Sequence, residues 1–446
     1  MREILFLKLK TMLQNFSNKK YYRYSEFLGN SGIFLFFALV LSTKSGHSIA
    51  IGLILLASLL TIPLKREGVI PGEVKLCAIF LIGLALFWSH TFDSIFSFSF
   101  KGDNLVRYGL GALFIVGLSK LKIHPRSIIY GFAVGGVAAA VIASIQYYEV
   151  GRAEGYTNAI RFGNLNLLMG LACFSASLTG FFYKAERIFF LLSGFCLFAA
   201  SILSLSRGGW LMFTFLPVIA YCIFSTYKRY AVLFSLILFS FLLASSILPP
   251  VNNRINQAYE EVYGYFSDRD KYVETSVGAR LEMWRLAALM GMQKPLTGWG
   301  EEGIQYGRSD YVEKSLAHPF ILRYNHAHND FLQMWSSRGV FGVIGLLFIY
   351  LFPIYLIYKS YEKNKSILCN SSRFHSINKL FLIFGIFTYF GYFIFGLSDW
   401  FFTFVIGQNF YLFTLVAYLS AMLWIRRRGI AESSVNSSIA EFHTPP

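Results

Sequence analysis

From residue 27 to residue 425 the chain alternates between long apolar runs and short polar breaks. A helix needs about 20 predominantly apolar residues to cross a bilayer. The runs predict about twelve spanning helices, near 27–42, 47–63, 74–90, 105–119, 128–148, 162–182, 187–205, 209–226, 230–248, 340–358, 379–397 and 402–425. One connection breaks the rhythm, because the chain from Leu248 to Gly339 is long and polar while the other connections are far shorter. The predicted fold class is therefore an all-α polytopic membrane protein of about 12 transmembrane helices, with one long, partly helical loop between spans nine and ten. It divides into an amphipathic N-terminus (1–26), spans one to nine (27–248), the long loop (249–339), spans ten to twelve (340–425) and a polar tail (426–446).

Composition agrees with a chain that lives in lipid. Hydrophobic residues make up 55% and charged residues 14%, against roughly 25% charged in a soluble domain, and the mean hydropathy is +0.51. The formal net charge of +16 invites a nucleic-acid partner. Its distribution argues for none, since the basic residues fall in short clusters between apolar runs, where they encode topology. Lys65-Arg66, Lys120 and Lys122, Lys184 to Arg187, Lys228-Arg229, Lys359 to Lys379 and Arg426-Arg427-Arg428 lie on one side; Lys44, Lys101 and Arg152 stand singly on the other. The positive-inside rule then makes both termini cytoplasmic and the long loop extracytoplasmic. The same alternation places Arg161 and Ser206-Arg207-Gly208-Gly209 on the loop's side.

Ile4, Leu5, Leu9, Met12, Leu13 and Phe16 recur at helical spacing among Lys8, Lys10, Lys19 and Lys20. That suits a basic helix lying on an anionic leaflet, with a disordered basic leader as the alternative. Residues 1–26 lack the pattern of a cleavable signal peptide. The tail from Gly429 is rich in serine and reads as disordered. Cys77, Cys173, Cys196 and Cys222 lie in apolar runs and Cys369 in a basic loop, so no disulfide is expected in the long loop.

Chemistry-bearing residues gather on the extracytoplasmic side. Arg207 sits in a tight turn between two apolar runs, with glycines after it that allow close approach to the backbone. It reads either as an anion clamp, since a guanidinium fork suits phosphate oxygens, or as an arginine snorkelling at a span end. Arg280 lies on an amphipathic helix with Leu281, Trp284 and Ala288 on one face, ended by the turn Pro295 to Gly300. It is either a second phosphate ligand or a solvated side chain. His326-Ala327-His328-Asn329-Asp330-Phe331-Leu332 closes the loop, and Asp330 with Gln333 resembles a capping box. His328 then precedes a helix start whose partial positive charge favours the neutral imidazole, a form able to take a proton. His326 is the alternative base, and a zinc pair of His326 and His328 lacks further ligands at a known spacing. Tyr259, Tyr263, Tyr265, Phe266, Trp284, Trp299, Tyr306, Tyr311 and Tyr324 either pack on sugar rings or mark the membrane interface.

Three patterns in order carry a family resemblance: Ser206-Arg207-Gly208-Gly209; Arg280 with Trp284 and the turn Pro295 to Gly300; and His328-Asn329-Asp330-Phe331-Leu332 with Gly339 eleven residues after His328. Together they resemble the O-antigen ligase and Wzy-type polymerase superfamily over roughly 160–345. Arg161-Phe162-Gly163-Asn164-Leu165-Asn166 resembles a stretch before span six in these proteins, with Leu165 where many relatives have proline. The resemblance implies a GT-C-like glycosyltransferase in the inner membrane of a Gram-negative bacterium, working on the periplasmic side without metal or cofactor and with inversion. The implied donor is O-antigen on undecaprenyl pyrophosphate, and the implied acceptor is the lipid A-core oligosaccharide. It implies catalytic roles for His328, Arg280 and Arg207, with Arg161, Arg207 and Arg280 binding the donor. A Wzy-type polymerase is the alternative in acceptor. A lipid-linked glycan flippase is the alternative in class, but its charges should lie deep within several spans, whereas Asp399 is the nearest to such a case here.

Overall fold

The computed structural model describes residues 2–62, 70–89, 102–206, 208, 209, 212, 236, 249–300, 303–368 and 372–442. Arg207, Cys222, Cys369, Lys65, Arg66 and almost all of the expected spans 209–226 and 230–248 lie outside the described residues. The described chain is helical, without strands. Its first helices are α1 (Arg2–Leu39), α2 (Gly46–Leu60), α3 (Gly72–Ser89), α4 (Gly102–Ser119), α5 (Pro125–Val150), α6 (Ala159–Ser177) and α7 (Lys184–Leu203). In the polar connection follow α8 (Pro249–Ser267), α9 (Arg269–Tyr272), α10 (Ser276–Gln293), α11 (Gly303–Glu313) and a 3-10 turn (Pro319–Arg323). The chain then forms α12 (Asp330–Ile367), α13 (Ser372–Gly396) and α14 (Val405–Phe442). Among the described residues six helices are long and apolar enough to cross a membrane, and Gly46–Leu60 is a shorter apolar one. The molecule is thus a polytopic α-helical membrane protein.

Helix ends follow local chemistry. At the start of α5, His124 accepts from the Arg126 amide at 3.2 Å and Pro125 occupies the first position, where its missing N–H costs nothing. The helix stops at Gly151, whose φ of 73° is the left-handed conformation that glycine adopts without strain. Lipid tails compete with apolar side chains, so packing here rests on close fit. Gly131 and Gly135 show it: a Cβ on either would lie 2.8 Å and 2.5 Å from the Phe34 and Phe37 carbonyl oxygens of α1.

Polar residues tie the bundle at one end. Glu73 of α3 meets Arg426 of α14 at 2.9 Å and Lys363 of α12 at 3.1 Å. Arg126 pairs with Glu186 at 2.7 Å, and Arg427 donates to the Leu121 carbonyl at 2.9 Å. Past these arginines α14 remains helical to Phe442, through the segment the sequence reads as disordered. The anchored arginines start that extension, and it contains no proline. At the other terminus α1 runs unbroken from the basic leader into the first apolar run.

The long connection folds around a buried carboxylate. Glu282 accepts from Tyr265 at 2.6 Å, from Arg285 at 2.9 Å, from the His318 amide at 3.1 Å and from Arg269. The buried face of α10 consequently runs through Ala279, Glu282, Met283, Leu286 and Met290. Leu281, Trp284 and Ala288, the face expected from sequence, are only half-buried. The buried side is apolar but for Glu282, whose carboxylate is fully paired there. After α10 the turn from Lys294 to Gly300 docks onto α12. Trp299 and Gly300 donate to the Ser336 and Ser337 carbonyls at 2.9 Å each, and Val340 donates back to Pro295 at 2.8 Å. These bonds satisfy the backbone that Gly339 exposes by breaking the helical course with φ 59° and ψ −153°. A Cβ on Gly339 would lie 2.4 Å from Leu296, and one on Gly298 (φ 68°) 2.3 Å from Ser337.

Candidate functional site

Three consecutive residues at the start of α12 grip the turn between α13 and α14. The His328 Nδ1 lies 3.0 Å from Asp399 Oδ1. The Asn329 amide donates to the Leu397 carbonyl at 2.9 Å. The Asp330 carboxylate accepts from Tyr350 at 2.5 Å and from the Phe401 and Phe402 amides. The N-cap is Asn329, which accepts from the Leu332 amide at 3.0 Å. The expected cap was Asp330, one residue later; its carboxylate is engaged by the opposing turn, and Gln333 instead accepts from the Ala327 amide at 2.9 Å.

His328 has a φ of 47°, the left-handed region, which costs a non-glycine residue on the order of 1–2 kcal/mol. Its grip on Asp399 holds it there. Burial alone would raise the Asp399 carboxyl, but the hydrogen bond and charge of His328, with Arg161 and His326 behind them, hold it below the ordinary carboxylate range. An ionised carboxylate only accepts, so Nδ1 of His328 is the donor in this contact. His326 meets His328 edge-on, with ring centroids 4.2 Å apart. Burial first, then the neighbouring His328, lowers His326 to about 4. Among the described residues no three His, Cys, Asp or Glu side chains gather as a metal site.

Arg161 lies in the first turn of α6, its guanidinium over the Phe404 ring. Its Nε is buried without a hydrogen-bond partner among the described residues, and its charge acts on Asp399. The structure thus gathers Arg161, His326, His328 and Asp399 at one end of the bundle. Tyr324 joins them, edge-on to His328 at 5.9 Å. By contrast Tyr259, Tyr263 and Phe266 of α8 are exposed, and Tyr265 is absorbed by Glu282.

Arg280 lines a cavity of about 520 Å³ whose wall also includes Ser206, Gly208 and Ser398. Ile160 and Ser398 of this wall adjoin Arg161 and Asp399 in the chain, but Arg161, His326, His328 and Asp399 are not themselves among its lining residues. Leu205, also in the wall, has a φ of 51°, a second strained residue of the kind that collects at functional sites. The glycines after Arg207 have a structural reason: a Cβ on Gly208 would lie 2.4 Å from the Ser398 hydroxyl, and one on Gly209 2.4 Å from the Asn164 amide oxygen. Sequence reasoning missed Asp399 as a partner of His328. The available signal was a carboxylate beside two apolar runs, a position that demands a partner. It also missed Arg152 and Arg254, which line the same cavity.

An uncharacterized protein of Haemophilus influenzae is 26% identical over 354 residues, 76% of this chain and 86% of that protein. A protein named O-antigen ligase from Escherichia coli is 23% identical over 307 residues, 63% of this chain and 70% of that protein. Residues 190–347, which include Arg280, His328 and the Gly339 kink, match the family model described as O-Antigen ligase. The chain is thus similar to the O-antigen ligase superfamily, with the family match confined to residues 190–347.

Proposed function

We propose that the protein is an O-antigen ligase. In this reading it moves O-antigen glycan from undecaprenyl pyrophosphate to the lipid A-core oligosaccharide, at the periplasmic face of a Gram-negative inner membrane. About twelve spans would place both termini in the cytoplasm and 249–339 in the periplasm. The observation that carries the reading is the 3.0 Å contact between His328 and Asp399 beside an arginine-lined cavity.

The chemistry follows from that geometry. Nε2 of His328 takes the proton of an acceptor hydroxyl as its oxygen attacks the anomeric carbon. The new carbon–oxygen bond forms on the face opposite the breaking bond to phosphate, which inverts the centre. The bonding electron pair leaves on the lipid diphosphate, where the guanidinium groups of Arg280, Arg207 and Arg161 stabilise it. Asp399 holds the imidazole in the tautomer that accepts, and stabilises the imidazolium once formed. No metal takes part in this scheme.

Reconstitution with lipid-linked glycan and two acceptors offered separately tests the reading. Transfer to core-lipid A, lost in His328→Ala protein that still folds in detergent, is the expected result. Transfer only to a second lipid-linked unit would make the protein a polymerase.

A further inference from the structure

Helix α8 presents three kinds of face. One is packed, with Val251, Glu261, Gly264 and Tyr265 buried. A second is polar, with Asn253, Asn256, Glu260 and Ser267 exposed. The third is apolar and exposed, formed by Ile255, Tyr259, Val262, Tyr263 and Phe266. At about 3.6 residues per turn these side chains fall in one stripe roughly 100° wide, and no charged residue shares it. Tyr259, Tyr263 and Phe266 are 74%, 69% and 77% exposed. A contiguous aromatic surface of that kind is unfavourable in water, so something apolar covers it.

The position of α8 says what does. It starts directly after the apolar run expected to span at 230–248. Its Val251 packs with Ile202 and Leu205 at the end of α7 and with Tyr147 at the end of α5. Helix α5 is long and apolar enough to cross the membrane. Along it Val134, Val137, Val141, Ile145 and Tyr148 form an exposed stripe at helical spacing, the side of a span that faces lipid. That stripe ends at Tyr148, beside the residue on which α8 is pinned. So α8 sets out from the level where the lipid-facing surface of a span ends, and amphipathic rings settle at that level. Sugar recognition would instead need hydrogen-bonding side chains beside the rings; this stripe brings only its own tyrosine hydroxyls.

We propose that α8 is an interfacial helix whose apolar stripe lies on the bilayer surface at the Val150 end of α5, its rings among the headgroups and first methylenes. The polar face then meets water, and the packed face carries the anchorage inward. Glu261 accepts from the Val277 amide at the start of α10 at 2.9 Å. Tyr265 donates to Glu282 of the same helix at 2.6 Å. The bilayer surface thereby sets the height of α10, and with it of Arg280. The inference needs no particular reaction and stands apart from the transferase reading.

The test places the full chain, one copy per disc, in nanodiscs of phosphatidylethanolamine and phosphatidylglycerol. Hydroxyl-radical footprinting reads each aromatic side chain, corrected for intrinsic reactivity. Tyr306 of α11, 72% exposed, is the reference. Tyr259, Tyr263 and Phe266 should oxidise about fivefold or more slowly than Tyr306, because lipid covers them. A phospholipid with a diazirine near its headgroup should cross-link to α8 on the stripe. Tyr263→Asp combined with Phe266→Asp puts two charges on that face, so the cross-link should fall about fivefold and Tyr259 should oxidise faster. If the double variant does not melt cooperatively in detergent, Tyr263→Ser replaces it. Oxidation at the rate of Tyr306 without a cross-link in α8 overturns the proposal. Protection without cross-linking, or protection only in discs that hold two copies, assigns the stripe to protein and overturns it as well. Glycan transfer plays no part in these readouts, so loss of either reading leaves the other intact.

Discussion

His328 Nδ1 and Asp399 Oδ1 stand 3.0 Å apart although 71 positions separate them in the chain. Asp399 is only 2% exposed, so the pair sits where a lone carboxylate would be costly. Asp399→Asn keeps the shape but removes the charge that selects the tautomer and stabilises the imidazolium. Glycan transfer should fall about 10³-fold or more, with little change in acceptor KM. Steady-state kinetics on the reconstituted enzyme measure it, and a loss under threefold sinks the orienting role.

Arg280 should resist conservative exchange. Lysine keeps the charge but not the planar fork, so Arg280→Lys is expected to lower transfer by about 10² or more, and Arg207→Lys likewise. Near-normal rates in both variants would mean that the leaving group is stabilised elsewhere.

The carboxylate at the centre of the long connection gives a pH dependence. Burial works to raise Glu282, but hydrogen bonds from Arg285, Tyr265, Arg269 and the His318 amide bring it down to about 2, from an ordinary 4.5. Its folded-state pKa is depressed, so its contribution to stability is complete above 4.5 and lost as pH falls toward 2. Limited proteolysis within 249–339 should accelerate across that window. Glu282→Gln should weaken this region by about 3 kcal/mol near neutrality, because Arg269 and Arg285 lose their partner, and should flatten the acid response. An unaltered acid profile in that variant would remove Glu282 as the cause.

The docked turn makes a steric prediction. Gly298→Ala and Gly339→Ala each force a Cβ to within 2.3–2.4 Å of backbone across the joint, at positions with positive φ. Each should cost about 2 kcal/mol or more, seen as a lower melting temperature in detergent. Gly303→Ala, where a Cβ would meet nothing nearer than Trp299 at 3.8 Å, is the control and should melt with the wild type.

Transfer should also survive chelation by EDTA. Activity lost with the chelator and restored by a divalent ion would overturn the metal-free scheme.

Much of the helical layout was legible because apolar runs report it directly. The expected spans at 47–63, 74–90, 105–119 and 128–148 fall on helices whose ends lie within a few residues. The site was legible only where chemistry sits inside a local motif. His328 stands in such a motif; Asp399 reaches it through a turn 71 positions on, which no local pattern encodes. Arg152 reads as a single basic residue in a short loop, and no local motif marks Arg254. Only the folded chain brings them to one cavity with Arg280. Which face of α10 is buried was not legible, because Glu282, charged in sequence, is paired there by partners from α8, α9 and its own helix.

The joint at Gly298 and Gly339 turns α10 into a strut of set length. Its far end carries Arg280, and its near end is fastened next to the helical segment that begins at Asp330, two residues after His328. The spacing between Arg280 and His328 is thereby counted out in residues. One residue added to α10 between Arg280 and Lys294 would swing that arginine by about 100° around the helix axis, leaving every motif intact in sequence and the two halves of the site out of register.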